Sequence, residues 1–148
     1  MVKAGTLGGW IEKEENLSQE GSAWVSGNAQ VFGNARVFGD TLVCGNAWVS
    51  GDALVCDNAW VSGNARLYGN AEVRKHEDIL VIGPIGSRNA ETTFFRTKDN
   101  QIAVVCGCFY GTIEKFAEKV KETHGSNKHA RAYNVAIELA KIQIDLND

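Results

Sequence analysis

Residues 23–76 read AWVSGN, AQVFGN, ARVFGD, TLVCGN, AWVSGD, ALVCDN, AWVSGN, ARLYGN and AEVRKH. One template runs through these sixes: small, variable, aliphatic, variable, Gly, Asn. The aliphatic position holds Val25, Val31, Val37, Val43, Val49, Val55, Val61, Leu67 and Val73, and Ile79 keeps the register once more. Alternation within each six sends Ala and the aliphatic to one face and the two variable residues to the other. Gly-Asn or Gly-Asp then turns the chain, because these residue types tolerate positive φ. The departures are mild: Asp57 stands for Gly and Thr41 for Ala. A short strand and a tight corner per six residues close a triangular coil every 18 residues, three sixes of this sequence. Each coil adds a parallel layer about 4.8 Å along the axis. Val is expected to fill the axis, with Ala near the corners.

These sixes resemble the hexapeptide-repeat family. That resemblance implies a left-handed parallel β-helix, whereas the general rule for parallel crossovers gives a right-handed one. The lead-in Leu7-Gly8-Gly9-Trp10-Ile11-Glu12, then Glu15-Asn16-Leu17-Ser18, breaks the six-residue register. It is similar to the GGWIE…ENLS cap on many hexapeptide-coil proteins of bacteria and their phages. Physically, Trp10, Ile11 and Leu17 are expected to cover an open end whose unpaired strand edges would otherwise recruit other chains.

Past residue 75 glycine thins out and helix formers arrive. The chain thus divides into residues 1–75, cap and coil, and residues 76–148, a small α+β module. Ile79 to Ile82, Thr92 to Phe95 and Ile102 to Cys106 read as strands separated by turns at Gly83-Pro84 and Asp99-Asn100. Thr112 is placed to cap a helix with Ile113, Phe116, Ala117 and Val120 on its apolar face, stopped by Gly125. Ser126 or Asn127 caps a second helix through about Ile144, with Tyr133, Ile137, Ala140 and Ile144 on one side. The fold class expected is mainly β: a parallel β-helix followed by an α+β module with two helices, seated on the coil's top end because so short a module is marginal alone.

Residues 18 apart stack on one face of the coil. Just before each aliphatic, the three faces read Trp24-Leu42-Trp60, Gln30-Trp48-Arg66 and Arg36-Leu54-Glu72. The first is wholly apolar, and its companion row Ser26-Cys44-Ser62 is small and uncharged, unlike a solvated face. The expectation is a homotrimer that buries Trp24, Leu42 and Trp60 around a three-fold axis, an arrangement the family resemblance also implies. Burying a large apolar side chain contributes roughly 2–3 kcal/mol, so three chains would gain roughly 18–27 kcal/mol as an upper estimate. Association costs about 4–15 kcal/mol per docking event. Helices folded back over the face within one chain are the alternative, and Phe32 and Phe38 on the other faces could extend the contact.

Composition narrows the function classes. Net charge is −3, with no basic stripe of the kind that tracks phosphates along a duplex, so long nucleic acid is not expected as a partner. The longest apolar runs are too short to span a bilayer. Met1-Val2-Lys3-Ala4-Gly5 has no apolar leader region, giving a cytoplasmic expectation and reduced thiols at Cys44, Cys56, Cys106 and Cys108.

The family's best-known enzymes are acyltransferases that use a coil-borne histidine as general base. Here Met1 to Lys75 contain no histidine and no insertion; His76, His124 and His129 all lie beyond the coil. The coil therefore reads as structural, with an acyltransferase drawing its base from the module as the enzymatic alternative and a purely structural trimerisation module as a third reading. No cofactor is expected. Cys106-Gly-Cys108 on a strand would present both sulfurs on one face, beside His124 or His129, although CxC is not a usual zinc spacing and free cysteine often serves as a small hydrophobe.

The run Ile82-Gly-Pro-Ile-Gly-Ser-Arg-Asn89 offers close backbone approach, a hydroxyl and a guanidinium, which suit a carboxylate or phosphate. Arg96-Thr97 follows on the next strand. Lys128, His129 and Arg131 sit at a helix start, where backbone N–H groups also favour anions. Each taken alone also reads as a solvated surface residue. Ser87, Arg88, Arg96, Thr97, Lys128, His129 and Arg131 converged on one cleft would form a pocket for a small anionic, nucleotide-like ligand. The phage-type cap makes one version of this a sponge that sequesters a host nucleotide signal.

Overall fold

The computed structural model describes residues 6–147; Met1–Gly5, where the lack of an apolar leader was noted, and Asp148 lie outside the described residues. A strand in the lead-in, β1 (Trp10–Ile11), precedes nine two-residue coil strands. These are β2 (Trp24–Val25), β3 (Gln30–Val31), β4 (Arg36–Val37), β5 (Leu42–Val43), β6 (Trp48–Val49), β7 (Leu54–Val55), β8 (Trp60–Val61), β9 (Arg66–Leu67) and β10 (Glu72–Val73). They form three parallel stacks: β2-β5-β8, β1-β3-β6-β9 and β4-β7-β10. Trp24 lies beside Leu42 and Leu42 beside Trp60, so the 18-residue register is the observed one. The coil is a parallel β-solenoid. Its inward Ala and Val residues form one buried core, with Val43, Val49, Val55, Val61 and Leu67 fully inaccessible. Thr41 fits the Ala position because its Oγ1 donates to the Phe38 carbonyl at 2.7 Å.

The corners carry polar ladders. Asn28 Nδ2 donates to Asn46 Oδ1 at 3.3 Å, Asn46 to Asn64 at 3.4 Å, and Asn64 to Glu91 Oε1 of the module at 3.1 Å.

The lead-in closes the bottom in a way the sequence did not indicate. β1 extends a sheet, placing Trp10 beside Gln30 in the outward row, where it stays 69% exposed. Ile11 sits against Val31 in the inward register, yet it is 40% exposed. Leu17, bridged to Val37, packs on the core, and the buried Asn16 completes the seal. Asn16 Nδ2 donates to the Gly33 and Ala35 carbonyls, and its Oδ1 accepts from Lys13 N.

Above the coil stands an antiparallel sheet of β11 (Ile79–Ile85), β12 (Ala90–Arg96), β13 (Ile102–Cys106) and β14 (Phe109–Thr112), paired in that order. The last strand was not expected. Strand alternation gives the sheet two apolar faces. Phe95, Ala103 and Val105 join the coil core, while Phe94, Ile102 and Val104 pack under α1 (Ile113–His124) and α2 (Lys128–Gln143). Coil and module thus share one hydrophobic core. Thr112 caps α1 by accepting from Lys115 N, and Asn127 caps α2 by accepting from Ala130 N. No helix of the described residues is long and apolar enough to cross a membrane.

Candidate ligand-binding cleft at the tip of the module

A cleft of about 200 Å³ opens between the β11–β12 turn, the β13–β14 turn, the second half of α1 and Tyr133 of α2. Ser87 and Arg88 come from the first turn, Cys106 and Cys108 from the second, and Lys119, Thr123 and His124 from α1. Phe109, Phe116, Val120 and the Tyr133 ring supply the apolar walls. Two cationic side chains line it and no carboxylate does, so the local potential favours an anion.

Close packing sets the positions. Gly86 carries φ +78, and a Cβ there would overlap the Tyr133 hydroxyl; a side chain at Gly107 would overlap the Arg88 guanidinium. His124 stacks on Tyr133 with ring centroids 5.9 Å apart and lies 5.4 Å from His129. Thr92 Oγ1 donates to Cys106 Sγ at 3.4 Å, and the Cys106 thiol donates to Tyr133 Oη at 3.6 Å. Burial, reinforced by the Cys106 hydrogen bond, pushes the Tyr133 phenol up to about 12. It therefore stays protonated at neutral pH, and having accepted from Cys106 it can donate its own hydrogen to a ligand.

The expected pair of sulfurs on one strand face is corrected by the turn. β13 ends at Cys106 and Gly107 takes φ +58, so Cys106 turns toward Tyr133 while Cys108 is exposed. Among the described residues no group of three or more His, Cys, Asp or Glu side chains could hold a metal ion.

The seven residues singled out from the sequence do not gather at one place. Ser87 and Arg88 line the cleft, and His129 touches it through His124. Lys128 and Arg131 are exposed on the first turn of α2. Arg96 and Thr97 lie at the far end of β12, seven residues long and hence about 23 Å away from Arg88. Arg96 donates to Asn100 Oδ1 at 2.8 Å and lies 3.8 Å from the buried Asp78 carboxylate. Thr97 is buried, its Oγ1 accepting from Gln101 N. Both hold the module together rather than face the cleft.

Lys119 and Thr123 were missed. Helical spacing places them beside the α1 stripe Phe116-Val120, but that this edge faces the two turns follows only from the packing of α1 over the sheet.

On the coil, Trp24 and Leu42 are half-buried and Trp60 is 53% exposed, its ring 5.3 Å from that of His76. The area left for association on this row is accordingly smaller than full burial assumes. Phe32 packs edge-on against Trp48, and Arg66 stacks over the same ring at 4.2 Å.

A family model described as YdcK beta solenoid repeat matches residues 29–45. No curated protein and no solved structure matches the chain. Match and architecture agree that the coil of this chain is a repeat β-solenoid.

Proposed function

We propose that the protein is a non-enzymatic binding protein. The coil joins three chains through the Trp24-Leu42-Trp60 row, and the tip cleft of each module takes a small anionic ligand bearing a planar ring. The observation that carries the reading is the cleft itself, with Arg88 and Lys119 beside aromatic walls and no carboxylate. Guanidinium and ammonium groups suit a phosphate, and Phe109, Phe116 and Tyr133 suit a base or another flat ring. A volume of about 200 Å³ falls below the roughly 300–1,000 Å³ of complete ligand sites. One cleft thus fits a single phosphate or ring, and a larger nucleotide reaches outward toward Lys128, His129 and Arg131. In its most specific form, supported by the resemblance of the lead-in to caps on coil proteins of bacteria and their phages, the protein is a sponge that sequesters a host nucleotide signal. A coil without histidine or insertion favours this over acyl transfer.

Isothermal titration calorimetry against cyclic dinucleotides and ADP-ribose derivatives tests it, with recovery of unmodified ligand as the check on turnover. A charge-assisted contact contributes about 1.5–3 kcal/mol, so Arg88→Ala is expected to weaken binding at least tenfold. No heat with any of these ligands, or binding indifferent to Arg88→Ala and Lys119→Ala, refutes the cleft. It leaves the scaffold reading that the solenoid also supports. Sedimentation of Trp60→Glu, expected to lose the trimer, tests the coil interface separately.

A further inference from the structure

A second and larger recess lies on the coil side of the module's sheet. Strand alternation sends Glu91, Thr93 and Val105 toward the coil, while Cys106 faces the tip cleft on the other side. Below this overhang, β6 and β9 present Trp48 and Arg66 as outward residues, and the coil corners supply Asn46 and Asn64. The groove between them holds about 580 Å³, inside the roughly 300–1,000 Å³ of complete ligand sites and nearly three times the tip cleft of about 200 Å³. It opens on the Gln30-Trp48-Arg66 face rather than on the Trp24-Leu42-Trp60 row, so it stands independently of both the assembly and the cleft proposed above.

Its walls are held in place while much of its hydrogen-bonding capacity stays free. Arg66 N donates to Thr93 Oγ1 at 3.2 Å, which ties β9 to β12. The Arg66 guanidinium rests on the Trp48 ring at 4.2 Å and Phe32 packs edge-on against that ring, yet Trp48 is 40% exposed. Among the described residues the guanidinium makes no hydrogen bond or ion pair, so its five N–H donors are open. The corner ladder uses one N–H each of Asn46 and Asn64 and one oxygen of Glu91. The second N–H of each amide and Glu91 Oε2 are left without a partner among the described residues.

We propose that this groove binds an uncharged saccharide. One cation and one carboxylate line it, Arg66 and Glu91, so its charges cancel and it favours neither an anion nor a cation. With Arg66 over its ring and Phe32 against it, Trp48 offers an apolar wall rather than a stacking platform for a flat base. A purely apolar ligand would cover Arg66 and Glu91 without pairing them, at a desolvation cost. A sugar hydroxyl both donates and accepts, which matches a rim that mixes donors with an acceptor. Neighbouring hydroxyls of one ring accept from Arg66 and Asn64 and donate to Glu91 Oε2, while the C–H groups of the ring lie on the indole and Val105. The volume admits more than one ring, so the ligand class is a short neutral oligosaccharide.

Heteronuclear NMR of the isotope-labelled full chain reads the side-chain N–H signals of Trp48, Asn46 and Asn64 during titration with maltose, cellobiose, lactose and N,N′-diacetylchitobiose. At least one of these disaccharides is expected to shift those three signals saturably while the indole signals of Trp10 and Trp24 stay in place. Glu91→Ala and Arg66→Ala each remove a charge-assisted contact and should weaken the binding at least tenfold. Neither side chain belongs to the buried core, so the circular dichroism of both variants should match wild type. No saturable shift with any of the four disaccharides overturns the proposal. So do shifts confined to other side chains, binding indifferent to both substitutions, or tighter binding of adenosine or a sulfated disaccharide than of every neutral one.

Discussion

Two glycines at one corner of the coil separate backbone strain from layer contact. Gly45 and Gly63 are 18 residues apart and share φ values of +66 and +63. An alanine at either position adopts a left-handed conformation, at about 1–2 kcal/mol. They differ in what lies above. A Cβ on Gly45 meets Gly63 N at 2.9 Å and its carbonyl oxygen at 3.1 Å, whereas a Cβ on Gly63 meets nothing within 4 Å. Ordinary contact begins near 3.4 Å, so Gly45→Ala must part the layers by about half an ångström. The Asn46 N to Gly63 O bond of 2.9 Å holds that corner shut. Overpacking of this kind costs about 1–3 kcal/mol. Gly63→Ala should therefore lose about 1–2 kcal/mol and Gly45→Ala about 2–5 kcal/mol. At about 3 °C per kcal/mol for a chain of this size, Tm falls by about 3–6 °C and about 6–15 °C. Urea midpoints at one fixed protein concentration measure both. Equal losses would refute the claim that direct layer contact, beyond φ, dictates glycine in the coil interior.

Phe95→Ala removes a module side chain from the coil core and should cost about 3–5 kcal/mol while keeping a single transition. Tryptophan fluorescence, which reports only residues 10–60, and helical circular dichroism, which reports the module, should lose signal together; separated transitions would disprove a shared core. Arg96→Ala leaves the buried Asp78 carboxylate without its ion pair, at about 3–5 kcal/mol in denaturant titration, with ligand heat in calorimetry unchanged. Burial raises Cys56 from 9.0 to about 11 and Tyr133 from 10.0 to about 12. The folded state therefore holds these protons more tightly than the unfolded chain, and the resulting stability is complete below pH 9 and lost as pH rises through the window from 9 to 12. Denaturant midpoints should fall above pH 9, and Cys56→Ala should flatten the first part of that fall.

The coil was legible residue by residue, because a six-residue period ties each side chain to a face without reference to anything distant. Val25 through Val73 line the axis, and Trp24, Leu42 and Trp60 stack, for that reason alone. The two helices and the cap at Thr112 were legible on the same local grounds, since capping and periodicity act within a few residues; the second cap was narrowed to Ser126 or Asn127, and Asn127 takes it. The cleft was half legible. Ser87 and Arg88 stood out as a turn built for an anion, but Lys119 and Tyr133 reach them only through the packing of α1 and α2 over the sheet. Arg96 and Thr97 looked like members of the same site, but β12 runs extended from Ala90 to Arg96, so its own length carries them about 23 Å from Arg88, to where Arg96 lies near the buried Asp78. The outer stripe of α2 is present in the sequence at helical spacing. Only the tertiary structure showed that the opposite row takes the core, leaving Val135, Leu139 and Ile142 in water. Local period determined where side chains point; which of them meet depended on contacts between residues far apart in the chain, and no period records those.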